Sequence, residues 1–270
     1  LGKQGIPSII VNGRISARSY PRYRLVRPLF RRVLALVDRF CVQGEESRVR
    51  LIDLGALPER IVVTGSLKFD ALEAHGPLGT PALGTPARRP DRVLRFFRGA
   101  EGRPVIVAGS TFPGEDEMLI RAFERIRTLT RHALLVLAPR RPERFADVES
   151  LATQAGFRTA RRTSLSIDED LRADVVVLDT IGELAQVYQL ATAVFVGGSL
   201  VNMGGHNILE PAVLGKAIVF GPHMQNFAEI AETFLRDRAA IQVANGRELE
   251  DVLIDLLSNR DHRERLGMAA

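Results

Sequence analysis

The 270-residue sequence has no tryptophan, a single cysteine (Cys41), three lysines and no apolar run long enough to cross a bilayer. One cysteine leaves no intrachain disulfide and no cysteine-rich zinc site, and it fits a reducing compartment. Without about 18 consecutive apolar residues the sequence holds no membrane-spanning helix. The dinucleotide fingerprint G-x-G-x-x-G is missing where GSTFPGE stands after a strand, which disfavours a nicotinamide enzyme. HExxH, Walker A and GxSxG motifs are also missing. Of the histidines, His75, His132 and His262 sit in linker or helical contexts and read as surface residues. His206 and His223 sit in strand-end loops without clustered partners, so no metal is expected.

What is present is globular: 46% hydrophobic and 26% charged residues, enough for a sizeable core. Of the 37 basic residues 34 are arginine, and the formal net charge is +5. Residues 1–60 carry a balance of +7 and the rest a balance of −2. A basic end favours an anionic partner: nucleic acid, a phosphorylated glycolipid or an acidic bilayer surface. The plainer alternative is solvated arginine in a composition that prefers it throughout.

Apolar periodicity predicts a buried strand over Ile6 to Val11, a helical stripe from Arg27 to Asp38, a strand at Arg39 to Val42, a helix at Glu45 to Leu54 and a strand at Ile61 to Thr64. Residues 76–103, rich in Gly and Pro, read as a linker with a short helix around Val93 to Arg98. After it come five strand–helix units, with strands at Val105 to Ala108, Ala133 to Ala138, Val175 to Leu178, Ala193 to Val196 and Ala217 to Phe220. Such alternation means a parallel, doubly wound α/β sheet. Leu1 to Ile6 reads as a helix end, a Gly cap and a strand start, and Asp261 to Ala270 as a helix cut in mid-course, so a piece of a longer protein is expected.

In a sheet of this kind ligands bind beyond the carboxyl ends of the strands. The candidates there are Ser110 and Thr111, then Pro139, Arg140 and Arg141, then Thr180, Gly182 and Glu183, then Gly197, Gly198 and Ser199 with Asn202 to Glu210, and finally His223, Gln225 and Asn226. Glycines 197, 198, 204 and 205 let backbone N–H groups approach an anion. Glu210, in the first turn of the next helix, suits a vicinal diol such as a ribose; the alternative is an ordinary first-turn acid. Arg140 offers a planar fork to an anion or pairs with Glu143. Thr180 and Glu183 are ligand contacts or a helix cap and its capping-box acid.

At these residues the sequence resembles the 3-deoxy-D-manno-octulosonic acid (Kdo) transferases of lipid A core assembly. The resemblance rests on Asn12-Gly13-Arg14-Ile15-Ser16, GSLKFD at 65–70, Gly109-Ser110-Thr111, PRRPERF at 139–145, TIGEL at 180–184, GGSL to GGHNILEP at 197–211 and FGPHMQNFAE at 220–229. It implies an α/β fold of the GT-B type, two Rossmann-like domains facing a cleft, the first only partly present. Residues 1–75 would be the second half of the acceptor domain, 76–103 the linker and 104–270 the nucleotide-sugar domain.

By motif, Pro139, Arg140, Gly182, Glu183, Leu184, Asn207, Ile208, Leu209 and Glu210 would contact CMP, with Arg14, Ser110, Thr111, Ser199, His206 and Asn226 as secondary candidates. Lys68 would stabilise transition-state charge, a role for a fixed ammonium; the alternative is a surface lysine. The implied reaction is inverting transfer of Kdo from CMP-Kdo to a lipid A precursor (lipid IVA), with no cofactor and no metal needed for a single phosphate. The implied setting is the cytoplasmic face of the inner membrane, with a bilayer surface and no nucleic acid as partner. The family's base Glu, a second functional acid and the membrane anchor would precede Leu1, leaving the chain able to bind CMP but not to turn over. Phe112 and Arg141 stand where the family usually has His. The competing readings are a GT-B transferase or epimerase using a UDP-sugar, and a non-catalytic polyanion or lipid-surface binder.

Overall fold

The computed structural model describes residues 6–16, 19–65, 96–164 and 172–270. Lys68, most of GSLKFD and most of the expected linker therefore lie outside the described residues. The chain divides into two compact units, within 1–82 and 83–270.

The first unit is a parallel three-stranded sheet of β1 (Ile9–Gly13), β2 (Arg39–Val42) and β3 (Ile61–Val63), with β2 central. Phe40 and Val42 of β2 are fully buried with Leu51 and Leu54 of a flanking helix, Glu45–Leu54. That helix stops at Gly55, whose φ of 106° closes its C-terminus in a conformation costly to other residues. Two further helices, α1 (Tyr20–Leu25) and α2 (Arg27–Leu34), precede β2, so the Glu45–Leu54 helix is α3. Pro21 and Pro28 occupy first-turn positions; Pro28 has no N–H to extend α1, so the chain breaks at Val26.

Two expectations need correction here. The run from Ile6 reads as a buried strand, yet Ile9, Ile10 and Val11 are exposed: among the described residues β1 stands at the edge of its sheet and pairs with β2 alone. The stripe from Arg27 to Asp38 is helical only to Leu34, and only one side of it packs. Leu34 is buried and Phe30 half-buried against the core, while Leu29, Val33 and Leu36 face outward.

The second unit is a seven-stranded parallel sheet in the order β10-β9-β8-β4-β5-β7-β6. Its strands are β4 (Val105–Thr111), β5 (Leu134–Pro139), β6 (Thr159–Arg161), β7 (Val175–Val177), β8 (Ala193–Val196), β9 (Ala217–Phe220) and β10 (Ile241–Gln242). Its helices are α4 (Glu115–Leu129), α5 (Phe145–Gln154), α6 (Leu184–Val187), α7 (Leu209–Val213), α8 (Ala228–Arg236), α9 (Gly246–Ser258) and α10 (Arg260–Ala269). Alternate residues enter opposite cores. Val105, Val107, Val194 and Val196 pack on one face, and Ile106, Ala108, Ala193 and Phe195 on the other with α4 and α9 residues such as Phe123 and Leu253. Burial on both faces explains the nearly unbroken apolar strands.

The chain runs from β4 outward through β5 to β6 and β7, then returns beside β4 to build β8, β9 and β10 outward the other way. The connections therefore diverge between β4 and β8, and a crevice opens beyond their carboxyl ends. Among the described residues no helix is long and apolar enough to cross a membrane.

Candidate functional site

The floor of the crevice is made by backbones in close contact. Gly197 N–H donates to the Gly109 carbonyl at 2.8 Å, and a Cβ at Gly197 would lie 2.4 Å from the Ser110 carbonyl oxygen. Only glycine allows β4 and β8 to approach that far. Ser110 adopts a φ of 58°, a left-handed conformation uncommon outside glycine. The register shifts there, so that Thr111 pairs with Pro139 and the Arg140 N–H donates to the Thr111 carbonyl at 3.0 Å. Pro139 and Arg140 are thereby fixed beside the β4 end, with the Arg140 side chain exposed.

The expected anion-binding turn at Gly197-Gly198 already holds an anion of the protein's own. Glu115, the first residue of α4, is fully buried. One carboxylate oxygen accepts from Phe112 and Gly198 N–H (3.0 and 2.7 Å), the other from Ser199 and Leu200 N–H (3.0 and 2.9 Å). Burial pushes this carboxyl above the ordinary range against the pull of those amides. The N–H groups of 198–200 are thus part of the scaffold, correcting the expectation that they face a ligand.

Asp116 does the same work on the other side. Also fully buried, it accepts from the Thr111 hydroxyl (2.5 Å) and pairs with Arg144 (2.5 Å), tying the β4 end to the turn after Arg140. Thr111 is therefore spent inside the fold. So is Ser199: fully buried, its hydroxyl donates to the Val196 carbonyl and accepts from Gly221 N–H. Both were candidates for ligand contact, and burial makes them structural. Asn226 donates to the Met203 carbonyl at 3.3 Å, bracing the Gly204 turn.

The remaining candidates gather around the β4 end. After β8 the chain returns through Gly204 and Gly205 to His206, whose ring stacks on Phe112 (5.8 Å between centroids, 10° between planes). Asn207 accepts from Leu209 N–H and donates to the Glu210 carboxylate, each at 3.1 Å, fixing a half-exposed Glu210 at the start of α7. Ile208 and Leu209 point into the core, so they can offer a ligand only backbone. Burial and the nearby Glu210 charge both raise the pKa of Tyr188. Tyr188 also sits over Gly109, which places α6 beside the same crevice.

In the turn before α6, Gly182 takes a φ of 86°, while the Thr180 hydroxyl donates to Glu183 at 2.6 Å. Neither side chain caps the α6 backbone. Instead Glu183 is held from behind by Arg162 at 3.3 Å, and Arg162 lies over the Phe96 ring. The structure thus places Ser110, Pro139, Arg140, Gly182 to Leu184 and His206 to Glu210 at the carboxyl ends of β4, β5, β7 and β8 or in the loops that follow them. Arg14 is exposed after β1 in the first unit. Glu115, Asp116, Arg144 and Arg162 escape sequence reasoning: three acids at the start of a helix signal only dipole complementarity, and nothing local says which turn inward.

The comparisons point the same way. A family model described as 3-deoxy-D-manno-octulosonic-acid transferase (kdotransferase) matches residues 1–71. The 3-deoxy-D-manno-octulosonic acid transferase of Bordetella pertussis is 34% identical over 270 residues, which is 99% of this chain and 60% of that protein. This chain thus spans well under two thirds of the length of such relatives. The crystal structure of the C-terminal CMP-Kdo binding domain of WaaA from Acinetobacter baumannii superposes with a TM-score of 0.60 and 29% identity, covering 67% of this chain and 94% of that one. UDP-GlcNAc 2-epimerase from Neisseria meningitidis, bound to UDP-GlcNAc, covers all of this chain and 66% of its own with a TM-score of 0.63 at 13% identity, a likeness of the two-Rossmann-unit GT-B fold alone. Over nearly its whole length the chain is thus similar to 3-deoxy-D-manno-octulosonic acid transferases.

Proposed function

We propose that this chain carries the nucleotide-sugar half of an inverting glycosyl transfer, with CMP-Kdo as donor and a lipid A precursor as acceptor. The observation that carries the reading is the match of 67% of the chain to a CMP-Kdo binding domain, supported by candidate residues in the loops on either side of the switch point of the second unit. In this reading Arg140 meets the phosphate, the backbone of Gly182 to Leu184 meets the base edge, and Glu210 accepts from the ribose hydroxyls. Asn207 holds the Glu210 carboxylate in place, which removes a rotamer cost from binding. Arg140 stabilises the phosphate as charge develops on departing CMP, and the attacking sugar hydroxyl loses its proton to a carboxylate base. Lys68 keeps its proposed role as a cation at the transition state.

The acceptor side of the reading draws on the first unit. No acidic residue precedes Asp38. Along α1, α2 and the turn after them, exposed Leu25, Leu29, Val33 and Leu36 alternate with exposed Arg24, Arg27, Arg31 and Arg32. Leucines among arginines suit an anionic bilayer surface, and the proposed setting is the cytoplasmic face of the inner membrane.

Calorimetric titration with CMP and with UMP tests the donor assignment. CMP is expected to bind saturably and more tightly than UMP, and Glu210→Ala to weaken it by about tenfold or more, the value of a lost charge-assisted hydrogen-bond pair. Preference for UMP would move the chain to the UDP-sugar class, and no binding by the folded chain would overturn the assignment.

A further inference from the structure

Arg140 follows β5 and His206 lies in the loop after β8, and the positive charge of the second is optional. Arg140 is always charged. His206 is half-buried, packed flat on Phe112 and against the Gly198 turn, where a Cβ would come within 3.3 Å of its ring. The ring is thus held in one orientation by uncharged contacts.

We propose that Arg140 and His206 form one anion subsite, and that seating the phosphate of the nucleotide there draws a proton from solvent onto the His206 ring. The inference rests on the nucleotide reading above and deepens it. One proton leaves the buffer, one imidazole nitrogen gains it, and the imidazolium then faces the phosphate beside the guanidinium.

The surroundings of His206 account for the direction. From the β4 end it meets Phe112 and from its own loop Gly198, both uncharged, while the β9-end segment of His223 and Met224 packs against the preceding Gly205. From the β5 end the charge acting on it is that of Arg140. On its own segment Asn207 and Glu210 are paired with each other. Beneath Gly198 the Glu115 oxygens are taken up by backbone N–H groups. Burial first, and Arg140 second, hold the imidazole below its ordinary value, so in the empty site the ring is neutral near neutral pH. A phosphate neutralises the field of Arg140 and adds an attraction of its own, and both changes favour the imidazolium.

Histidine ring resonances of the whole chain, followed by NMR against pH, test this, with His206 assigned by its loss in His206→Gln. With the chain alone, His206 is expected to titrate below ordinary histidine. With saturating CMP its midpoint rises by about one pH unit or more, a tenfold gain in proton affinity, and with cytidine, which has no phosphate, it stays in place. In parallel calorimetry, CMP affinity falls more steeply with rising pH for wild type than for His206→Gln; the comparison cancels the titration of CMP itself. CMP that binds without moving the His206 midpoint, or an equal pH dependence in the variant, overturns this inference alone. CMP that does not bind overturns the nucleotide reading and this inference with it.

Discussion

Glu115→Ala lowers the thermal midpoint by about 10 °C and weakens CMP binding by about tenfold at 25 °C. The substitution removes one buried side chain but strands four backbone donors, on Phe112, Gly198, Ser199 and Leu200. Each orphaned buried N–H costs about 1–3 kcal/mol. Allowing for relaxation and water entering the gap, the loss is about 4 kcal/mol. For a unit of this size each kilocalorie moves the midpoint by roughly 2–4 °C. The effect on binding follows from position, since the loop that Glu115 clasps leads directly to His206, Asn207 and Glu210. Circular dichroism melting and calorimetry with CMP measure the two losses. A midpoint within about 2 °C of wild type would show that the four contacts do not hold the loop.

Arg144→Met is expected to cost about 3–5 kcal/mol, because it leaves Asp116 buried with only the Thr111 hydroxyl for company. Methionine keeps much of the arginine stem's volume, so the loss reports charge rather than a cavity. Burial already pushes the Asp116 carboxyl above its ordinary value, while Thr111 and Arg144 hold it down. Deleting Arg144 frees it to rise further. A carboxyl whose folded pKa exceeds its unfolded one binds the proton more tightly when folded, so stability falls as pH climbs through the raised value. The deficit of the variant relative to wild type should therefore grow as pH rises above the ordinary carboxylate range. Asp116→Asn in the same background should recover part of it, measured by denaturant melts in a double-mutant cycle. A deficit independent of pH would mean that the pair acts through packing alone.

Much of the second unit was legible in the sequence because its chemistry is repetitive. Runs such as VIVA and ALLVLA are apolar at every position since both faces of the sheet are buried, and each ends in turn residues that mark a strand's carboxyl end. The short edge strands were not legible. Thr159–Arg161 is half polar and Ile241–Gln242 has two residues, too few to show a period. In the first unit composition misled: Ile9, Ile10 and Val11 look like core, and their exposure depends on what lies beside β1 in space.

The same limit applies at the candidate site. Arg140, Glu210 and the Gly182 turn could be picked out because loops after parallel strands carry few polar residues without reason. Ser199 and Thr111 stand out on the same grounds, yet their hydroxyls close hydrogen bonds within the fold. Local sequence cannot separate those cases. Nor can it show Glu115 reaching a loop 83 residues further along, or Phe112 serving as the surface on which His206 rests. Phe112 fits its place by stacking on His206.

A crystal structure of the chain with CMP would test the central claim most directly, that the nucleotide sits beyond the β4 and β8 ends. The predicted result is density for CMP with its phosphate toward Arg140, its ribose toward Glu210 and its base against the backbone of Gly182 to Leu184. Density on any other face of the second unit, or none at saturating CMP, would contradict the account.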